Sequence, residues 1–261
     1  MSFWSGADNK NPVMKAAPSE TDVQARINKH SSKLKLFNYT ADEISKYVTE
    51  LKDGIIDYAE VLHKYNVKQL ITMPPVAELL DYGTGSSAVD IWTMLPKQYE
   101  PNADLIKTAR EKGCEIWTYN CLVQDSYSPK FLLDYPLINY RIHPGFINYA
   151  LDVDGFLYWR IDNYQNLTDP WTSLSDATEG TVWNGDGILF YPGEDVGLND
   201  TFVPSLRAKA IRDGFEDYEL CVAAGITVDE VSVIASSFSN WTQDNNVLLT
   251  NRNILGNKYT N

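Results

Sequence analysis

The feature that most constrains the fold of this chain is an alternation, from Leu34 onward, of short apolar runs with longer amphipathic stretches. The first amphipathic stretch carries Leu51, Ile55, Tyr58 and Leu62 at helical spacing. This alternation predicts βα units, in which a helix follows each strand and the strands form a parallel sheet. The predicted strands cover residues 34–39, 67–73, 88–94, 114–120 and 155–161.

A parallel sheet with intervening helices favours a (β/α)8 barrel, which needs eight strands and about 250 residues. Residues 1–32 are polar, are broken by Pro12 and Pro18, and predict one short helix near 20–29 but no core strand. We therefore predict an α/β fold: a partial TIM (β/α)8 barrel whose N-terminal strands are missing or are supplied by another chain. A small doubly wound domain is the alternative, and five strands alone would leave long unpaired edges.

The predicted organisation has three parts. Residues 1–32 form a polar N-terminal segment with a short helix, and residues 33–224 form the partial barrel. Residues 225–261 form a peripheral helix followed by a polar tail. The last long helix of the barrel carries acidic and basic residues that we expect to form an ion-pair network, namely Arg207, Arg212, Asp213, Glu216 and Asp217.

Charge and composition exclude several classes of function. The formal net charge is -13, and an acidic surface repels phosphate backbones, so no nucleic-acid partner is expected. No run of about 20 apolar residues occurs, so no membrane span is expected. No signal peptide is visible at the N-terminus. Cys114, Cys121 and Cys221 match no metal-ligand spacing, so neither a metal site nor a disulfide framework is expected.

Aromatic residues are abundant, with seven Trp and sixteen Tyr among 261 residues. Their apolar faces and hydrogen-bonding tips suit the apolar C–H faces and the hydroxyl rims of sugars. A carbohydrate ligand is therefore favoured, although core packing accounts for many of these side chains.

The adjacent carboxylates Asp42 and Glu43 directly follow the first predicted strand. Successive strand residues point to opposite faces, so two neighbouring acids reach one pocket only where the strand has ended and the chain turns. When two carboxyl groups lie close together, the pKa of one is raised, so a protonated group stands beside an anion. A general acid of this kind contributes typically ~10²- to 10⁴-fold to a rate. The alternative is a helix cap, with Asp42 accepting backbone N–H groups and Glu43 favoured by the helix dipole.

Further candidates lie at the carboxyl ends of the predicted strands and in the loops beyond them, where barrel enzymes place their active sites. We expect aromatic side chains to surround the sugar and polar side chains to bind its hydroxyl groups. For each of them the alternative is core packing or bracing of a loop. The predicted substrate-binding residues are Tyr39, Trp92, Trp117, Tyr119, Asn120, Trp159, Trp171 and Asp186.

Seven motifs occur in a fixed order between about residues 34 and 224. They are Tyr39-Thr-Ala-Asp42-Glu43, Val89-Asp-Ile-Trp92, Glu115-Ile-Trp-Thr-Tyr-Asn-Cys121, Gly155-Phe-Leu-Tyr-Trp159, Asp169-Pro-Trp171, Gly185-Asp-Gly-Ile-Leu-Phe-Tyr-Pro-Gly193 and Ser205-Leu-Arg-Ala-Lys-Ala-Ile-Arg-Asp-Gly-Phe-Glu-Asp-Tyr-Glu219. This ordered set resembles glycoside hydrolase family 123, and the segments from Gly185 and Ser205 are its most specific parts.

The resemblance implies that residues 33–224 are part of the catalytic domain of a retaining β-N-acetylgalactosaminidase that needs no metal or organic cofactor. The substrate's own 2-acetamido group would act as the nucleophile, an exception to the general retaining scheme. Glu43 would be the general acid and then the general base, and Asp42 would hold the acetamide N–H. The resemblance also implies a secreted or periplasmic protein, although the sequence alone leaves the compartment and the oligomeric state unknown.

The sequence departs from the family pattern in two ways. Ile44 follows the acid pair where family members usually have Pro, and the upstream barrel strands and the preceding β-rich domain are absent. A non-catalytic carbohydrate-binding or scaffold protein derived from a glycosidase barrel is therefore the alternative function.

Overall fold

The computed structural model describes residues 3–30, 33–121, 128–164, 167, 169–172, 175–178 and 181–259. The chain divides into two compact units, residues 1–117 and 118–261. Five strands form a sheet in the order β1-β2-β3-β4-β5, which is also their order along the chain. Helices alternate with these strands, and the predicted fold class, a partial TIM-like α/β fold, is confirmed.

The first unit contains the beginning of this sheet. Strand β1 pairs with β2 and β2 pairs with β3, both in parallel. The elements that begin in this unit are α1 (Glu20–Ile27), β1 (Phe37–Asp42), a 3-10 turn (Ser45–Tyr47), α2 (Val48–His63), β2 (Lys68–Thr72), α3 (Ala77–Leu80), β3 (Ile91–Met94), α4 (Pro96–Tyr99), a second 3-10 turn (Glu100–Asn102), α5 (Ala103–Glu111) and β4 (Glu115–Asn120), which ends in the second unit.

The core of the first unit follows the helical spacing seen in the sequence. Helix α2 turns one face inward, and each apolar side chain that is fully buried contributes about 1.5–3 kcal/mol to stability. That face consists of Val48, Leu51, Ile55, Tyr58, Ala59 and Leu62. Most of it packs against apolar residues of β2 and β3, including Ile71 and Trp92.

The second unit combines strand β5 (Gly155–Tyr158) with helices and two short antiparallel hairpins, β6–β7 and β8–β9. The sequence predicts one helix over 140–151, but the structure has two short helices joined by a wide π-helical turn, His143–Ile147. Pro144 provides no backbone N–H there. The remaining elements are α6 (Ile138–Ile142), α7 (Asn148–Ala150), β6 (Ser175–Thr178), β7 (Thr181–Asn184), β8 (Phe190–Pro192), a 3-10 turn (Glu194–Val196), β9 (Phe202–Pro204), α8 (Leu206–Ala223), α9 (Val228–Val231) and α10 (Asn245–Tyr259).

Two glycines let helix α8 cross the π-helical turn at close range. A Cβ atom on Gly145 would lie 2.9 Å from the backbone oxygen of Gly214, and a Cβ on Gly214 would collide with the backbone oxygen of Arg141. Only glycine fits where two backbones approach in this way.

A buried ion-pair network holds helix α8 in the second unit. Asp217 is fully buried and accepts two hydrogen bonds from Arg141, of 2.6 and 2.9 Å. The same carboxylate accepts a 2.6 Å bond from Arg252 of helix α10. The ion-pair network predicted for α8 therefore centres on Asp217, whereas Arg212 pairs with Asp213 and Glu216 at the surface.

Helix α10 lies in the stretch that was predicted from the sequence to be a polar tail. It is rich in Asn, and only Leu248 and Leu255 are buried. Two apolar contacts one heptad apart give almost no periodic signal, which is why the sequence did not predict this helix. Within the described ranges, no helix combines the length and apolar character needed to cross a membrane.

Candidate active site

The end of strand β1 brings together a group that we call the acid turn, formed by Tyr39, Asp42, Glu43 and Thr72. The register of β1 against β2 shifts between Tyr39 and Ala41. Such a bulge changes the phase of the strand, so Tyr39 and Asp42 reach the same side. The Tyr39 hydroxyl donates a 2.7 Å hydrogen bond to Asp42 Oδ1, and the Thr72 hydroxyl donates to the same oxygen.

Glu43 turns the chain out of the strand. Its φ angle is 52°, in the left-handed region that non-glycine residues rarely adopt. Its backbone N–H donates to the Thr72 carbonyl oxygen at 3.0 Å and to the Thr72 hydroxyl at 2.8 Å. Asp42 is thus the last residue of the strand and Glu43 the first residue of the turn, and both are half-buried.

Both carboxylates raise the pKa of one hydroxyl group, that of Tyr39. Burial raises the pKa of Tyr39, and the negative charge of Asp42 raises it further, with a smaller contribution from Glu43. The Tyr39 hydroxyl therefore remains protonated and serves as a hydrogen-bond donor. This shared effect indicates that both acids lie close to the same point of the acid turn.

The capping role considered for Asp42 is wrong. The 3-10 turn Ser45–Tyr47 and helix α2 both begin without a side-chain capping hydrogen bond. Asp42 instead binds two hydroxyl groups. Both donors bind Oδ1, and within the described residues Oδ2 receives no hydrogen bond.

Two predicted substrate-binding residues of the first unit lie apart from the acid turn. Trp92 is fully buried in the apolar core. Trp117 packs edge-on against Phe37, with ring centroids 5.6 Å apart, and donates to Glu115 at 3.1 Å. Phe37 begins strand β1, whereas Asp42 ends it. The binding roles of both tryptophans stay predictions.

In the second unit, Asp186 and Trp159 lie together in what we call the Asp186 cluster, completed by Tyr158. Asp186 is almost fully buried and accepts a 3.1 Å bond from the Trp159 indole and a 3.3 Å bond from the Tyr158 hydroxyl. Gly187, at φ +71°, shapes the cluster, because a Cβ atom there would lie 2.7 Å from the Trp159 ring. Trp159 keeps 42% of its surface exposed, so it can still contact a ligand.

Trp171 occupies a separate stack in the same unit. Its ring lies over Tyr191 with centroids 4.5 Å apart, and its indole donates to Asp195 at 2.8 Å. The Tyr191 hydroxyl in turn accepts a 2.9 Å bond from Arg207. No signal in the sequence had pointed to Tyr191 as the partner of Trp171.

The two remaining predicted residues are buried. Tyr119 keeps 5% of its surface exposed, and Asn120 donates to His143 Nδ1 at 3.2 Å and to the Pro129 carbonyl oxygen at 2.9 Å. Since Nδ1 accepts, the proton of His143 lies on Nε2, which donates to Thr118 at 3.2 Å. Burial lowers the pKa of His143 to about 3. Asn120 is therefore part of an internal neutral network, and its binding role stays a prediction.

The prediction of substrate-binding residues omitted two side chains at the acid turn. Thr72 ends strand β2 opposite Asp42, and its position at a strand end marks it as a candidate in the sequence, although it is not among the predicted sugar-binding residues. Asn9 donates to Glu43 Oε2 at 2.7 Å, and nothing in the sequence pattern pointed to it. Across the part of the chain that the structure describes, no three His, Cys, Asp or Glu side chains are grouped to hold a metal ion.

Comparison with known proteins supports the family suggested by the motifs. The glycoside hydrolase 123 catalytic domain matches residues 31–223. A solved family 123 glycoside hydrolase from Clostridium perfringens, studied for glycolipid glycan hydrolysis, has a similar fold, with a TM-score of 0.58 and 16% identity. The match covers 85% of this chain but 40% of that protein. No curated protein sequence matches significantly. The family match extends over most of the chain, which therefore belongs to glycoside hydrolase family 123.

Proposed function

We propose that the protein is a retaining glycosidase that releases terminal β-linked N-acetylgalactosamine from glycans or glycolipids by substrate-assisted catalysis. The observation that carries the proposal is the acid turn, where Asp42 ends a parallel strand, Glu43 directly follows it and the Tyr39 hydroxyl donates to Asp42. In barrel enzymes this end of the strands holds the active site.

In the first step, Glu43 donates its proton to the glycosidic oxygen as the bond from that oxygen to the anomeric carbon breaks. The acetamide oxygen of the same sugar attacks the anomeric carbon and forms an oxazolinium ring. An intramolecular attack needs no enzyme nucleophile, because its entropy cost is already met within the substrate. In the second step, Glu43 accepts a proton from the water that opens the ring.

Asp42 has the geometry for the supporting role. Two hydroxyl donors fix its Oδ1, so the carboxylate keeps one orientation, and Oδ2 can accept the acetamide N–H. A negative charge held there also stabilises the positive charge of the oxazolinium ring. Taken by itself, the second unit contains the exposed indole of Trp159 and the Trp171–Tyr191 stack, whose aromatic faces suit a sugar.

The test is turnover of nitrophenyl β-N-acetylgalactosaminide by the whole chain. We expect Glu43→Gln to lower kcat by ~10²- to 10⁴-fold. Glu111→Gln, which changes an exposed carboxylate on helix α5, is the matched control and should keep wild-type turnover. Turnover that survives in Glu43→Gln would disprove the assignment of the acid.

A second substrate tests the substrate-assisted step. Nitrophenyl β-galactoside lacks the acetamido group, so we expect no turnover of it by the wild-type protein. Equal turnover of both substrates would mean that the nucleophile is not in the substrate. Azide rescue of Asp42→Ala or Glu43→Ala would identify which step each carboxylate serves.

The alternative is a carbohydrate-binding or scaffold protein without catalysis. The chain spans 40% of the length of the hydrolase that it matches, so the activity of the whole hydrolase is a proposal for this chain. Binding of N-acetylgalactosamine by calorimetry, without turnover of either substrate, would support this function.

A further inference from the structure

Residues 3–9 lie alongside strand β1 on the edge opposite β2. The backbone N–H of Ser5 donates to the Thr40 carbonyl oxygen at 3.1 Å, and that of Asp42 donates to the Ala7 carbonyl oxygen at 3.1 Å. Asp8 and Asp42 form a parallel bridge. Since β1 is the first strand in the order of the sheet, this segment covers an edge that would otherwise expose unpaired backbone groups.

Side chains anchor the segment as firmly as its backbone does. Ser5 is fully buried, and its hydroxyl donates to the Thr40 carbonyl oxygen at 2.6 Å. Asn38 exchanges two hydrogen bonds with the backbone of Phe3, of 2.7 and 3.2 Å. Trp4 lies against Tyr39 of the acid turn, with ring centroids 5.6 Å apart.

A tight turn then directs Asn9 at the acid turn. Asp8 Oδ1 accepts the backbone N–H groups of both Lys10 and Asn11 at 2.7 Å, and this Asx turn reverses the chain. At its tip, the Asn9 amide donates a 2.7 Å hydrogen bond to Glu43 Oε2. Asn9 lies outside residues 31–223, the part of the chain matched by the family domain.

We propose that residues 3–9 act as the flanking strand of β1 and that Asn9 is a positioning residue for the Glu43 carboxyl group. This inference rests on the proposed function, in which Glu43 donates and accepts the proton. A neutral amide fixes the carboxylate by a hydrogen bond but does not neutralise its charge, so the group can change protonation state between the two steps. The described titratable groups around Glu43 include Asp42, Tyr39 and Asp8.

The contact has a signature that does not depend on turnover. The side-chain amide resonance of Asn9 in the wild-type protein should move as the pH falls through the range in which carboxyl groups titrate. The movement should be lost in Glu43→Gln, which leaves Asp42 and Asp8 unchanged. A resonance that does not respond to pH, or responds equally in Glu43→Gln, overturns the proposal even if the protein has no activity.

The kinetic test uses Asn9→Ala and Asn9→Asp. Without the 2.7 Å hydrogen bond from Asn9 the Glu43 carboxyl group loses a fixed orientation, so Asn9→Ala should lower kcat by about fivefold and leave KM unchanged. Asn9→Asp lacks the donor as well and should lower kcat at least as much. A wild-type kcat in both variants overturns the positioning role.

Asn11→Ala is the matched control. Asn11 is exposed in the same turn, but its amide donates to the Gly6 carbonyl oxygen and not to Glu43. The kcat and KM of Asn11→Ala should therefore match those of the wild-type protein. If Glu43→Gln keeps full turnover while the Asn9 resonance still follows Glu43, the proposed function fails and the contact stands. If Glu43→Gln is inactive and the Asn9 variants behave like wild type, the proposed function stands and the positioning role of Asn9 fails.

Discussion

Two aspartates on different units show how the surroundings of a carboxylate decide what it can do. Asp217 in the second unit is fully buried and bound by Arg141 and Arg252. Asp42 in the first unit is half-buried and bound by the hydroxyl groups of Tyr39 and Thr72. Two guanidinium groups compensate the charge of a buried carboxylate, whereas hydroxyl donors orient a carboxylate and leave its charge available to a substrate.

This difference predicts a structural role for Asp217 and a functional role for Asp42. Removing one partner of a buried ion pair leaves uncompensated charges in a medium of low polarity, so the cost appears in stability. Removing a half-buried carboxylate that hydroxyl groups orient leaves no buried charge, so the cost should appear in turnover. The predictions below test this separation, from the largest expected effect to the smallest.

Asp217→Asn should lower the free energy of unfolding by about 3–5 kcal/mol, because it leaves two arginines without their carboxylate. Urea denaturation at pH 7 measures this change. The control is Asp213→Asn on the same helix, whose ion pair with Arg212 lies at the surface and which should change stability by less than about 0.5 kcal/mol. A loss below about 1 kcal/mol for Asp217→Asn would contradict the structural role.

The same comparison makes the opposite prediction for the acid turn. Asp42→Asn keeps an acceptor oxygen for Tyr39 and Thr72, so the free energy of unfolding should change by less than about 1 kcal/mol. Turnover should nevertheless fall by about 10²-fold or more, because the anion that the proposed mechanism places beside the oxazolinium ring is gone. Equal losses of stability in Asp42→Asn and Asp217→Asn would remove the distinction between the two sites.

The interior of the second unit also fixes the charge of His143, in this case as a neutral group. Burial lowers its pKa to about 3, below the usual value of about 6.5. In the unfolded chain this histidine binds a proton below pH 6.5, whereas in the folded chain it does so only near pH 3. Its stabilising contribution is therefore complete above pH 6.5 and is lost as the pH falls from 6.5 towards 3.

We accordingly expect the wild-type protein to lose about 2 kcal/mol of stability to this group between pH 7 and pH 5. Urea denaturation of wild type and His143→Gln at both pH values isolates the contribution, since glutamine does not titrate. His30→Gln, at an exposed position, should leave the pH dependence unchanged. If His143→Gln keeps the wild-type pH dependence, the histidine is not held neutral.

The sequence predicted the fold class because its signals are local and strong. Strand β2 ends in the apolar and β-branched residues Leu70, Ile71 and Thr72, and helix α2 shows its buried face at every turn. The position of β1 was harder to predict, since the sequence placed the strand over 34–39 and the structure has it at Phe37–Asp42. Ala41 and Asp42 have low strand propensity, and their pairing with β2 depends on a bulge that no local pattern announces.

Contacts between distant segments explain what the sequence did not predict. Residues 3–9 carry no alternating apolar pattern, and they reach β1 through backbone hydrogen bonds and through the small buried residues Ser5 and Ala7. Trp92 and Asn120 were predicted to bind substrate because they are aromatic or polar residues near strand ends. The structure buries both, because the direction of each side chain is set by packing that sequence spacing alone does not specify.

The smallest predicted effect concerns Tyr39, whose hydroxyl orients Asp42. Tyr39→Phe removes one of the two donors to Asp42 Oδ1 while Thr72 keeps the other. One hydrogen bond is worth about 1 kcal/mol, so kcat/KM should fall by roughly fivefold. Tyr65→Phe, which removes a tyrosine hydroxyl that donates to an exposed carboxylate on Glu20, is the control and should leave kcat/KM unchanged.

The pH dependence of this loss distinguishes an orienting hydroxyl from a proton carrier. Burial and the neighbouring acids raise the pKa of Tyr39, so the hydroxyl keeps its proton between pH 5 and pH 8 (about two units below the usual tyrosine value). The ratio of wild-type to Tyr39→Phe kcat/KM should therefore be constant across this range. A ratio that changes with pH would mean that Tyr39 exchanges a proton during the reaction, and the acid turn would then hold two groups that transfer protons instead of Glu43 alone.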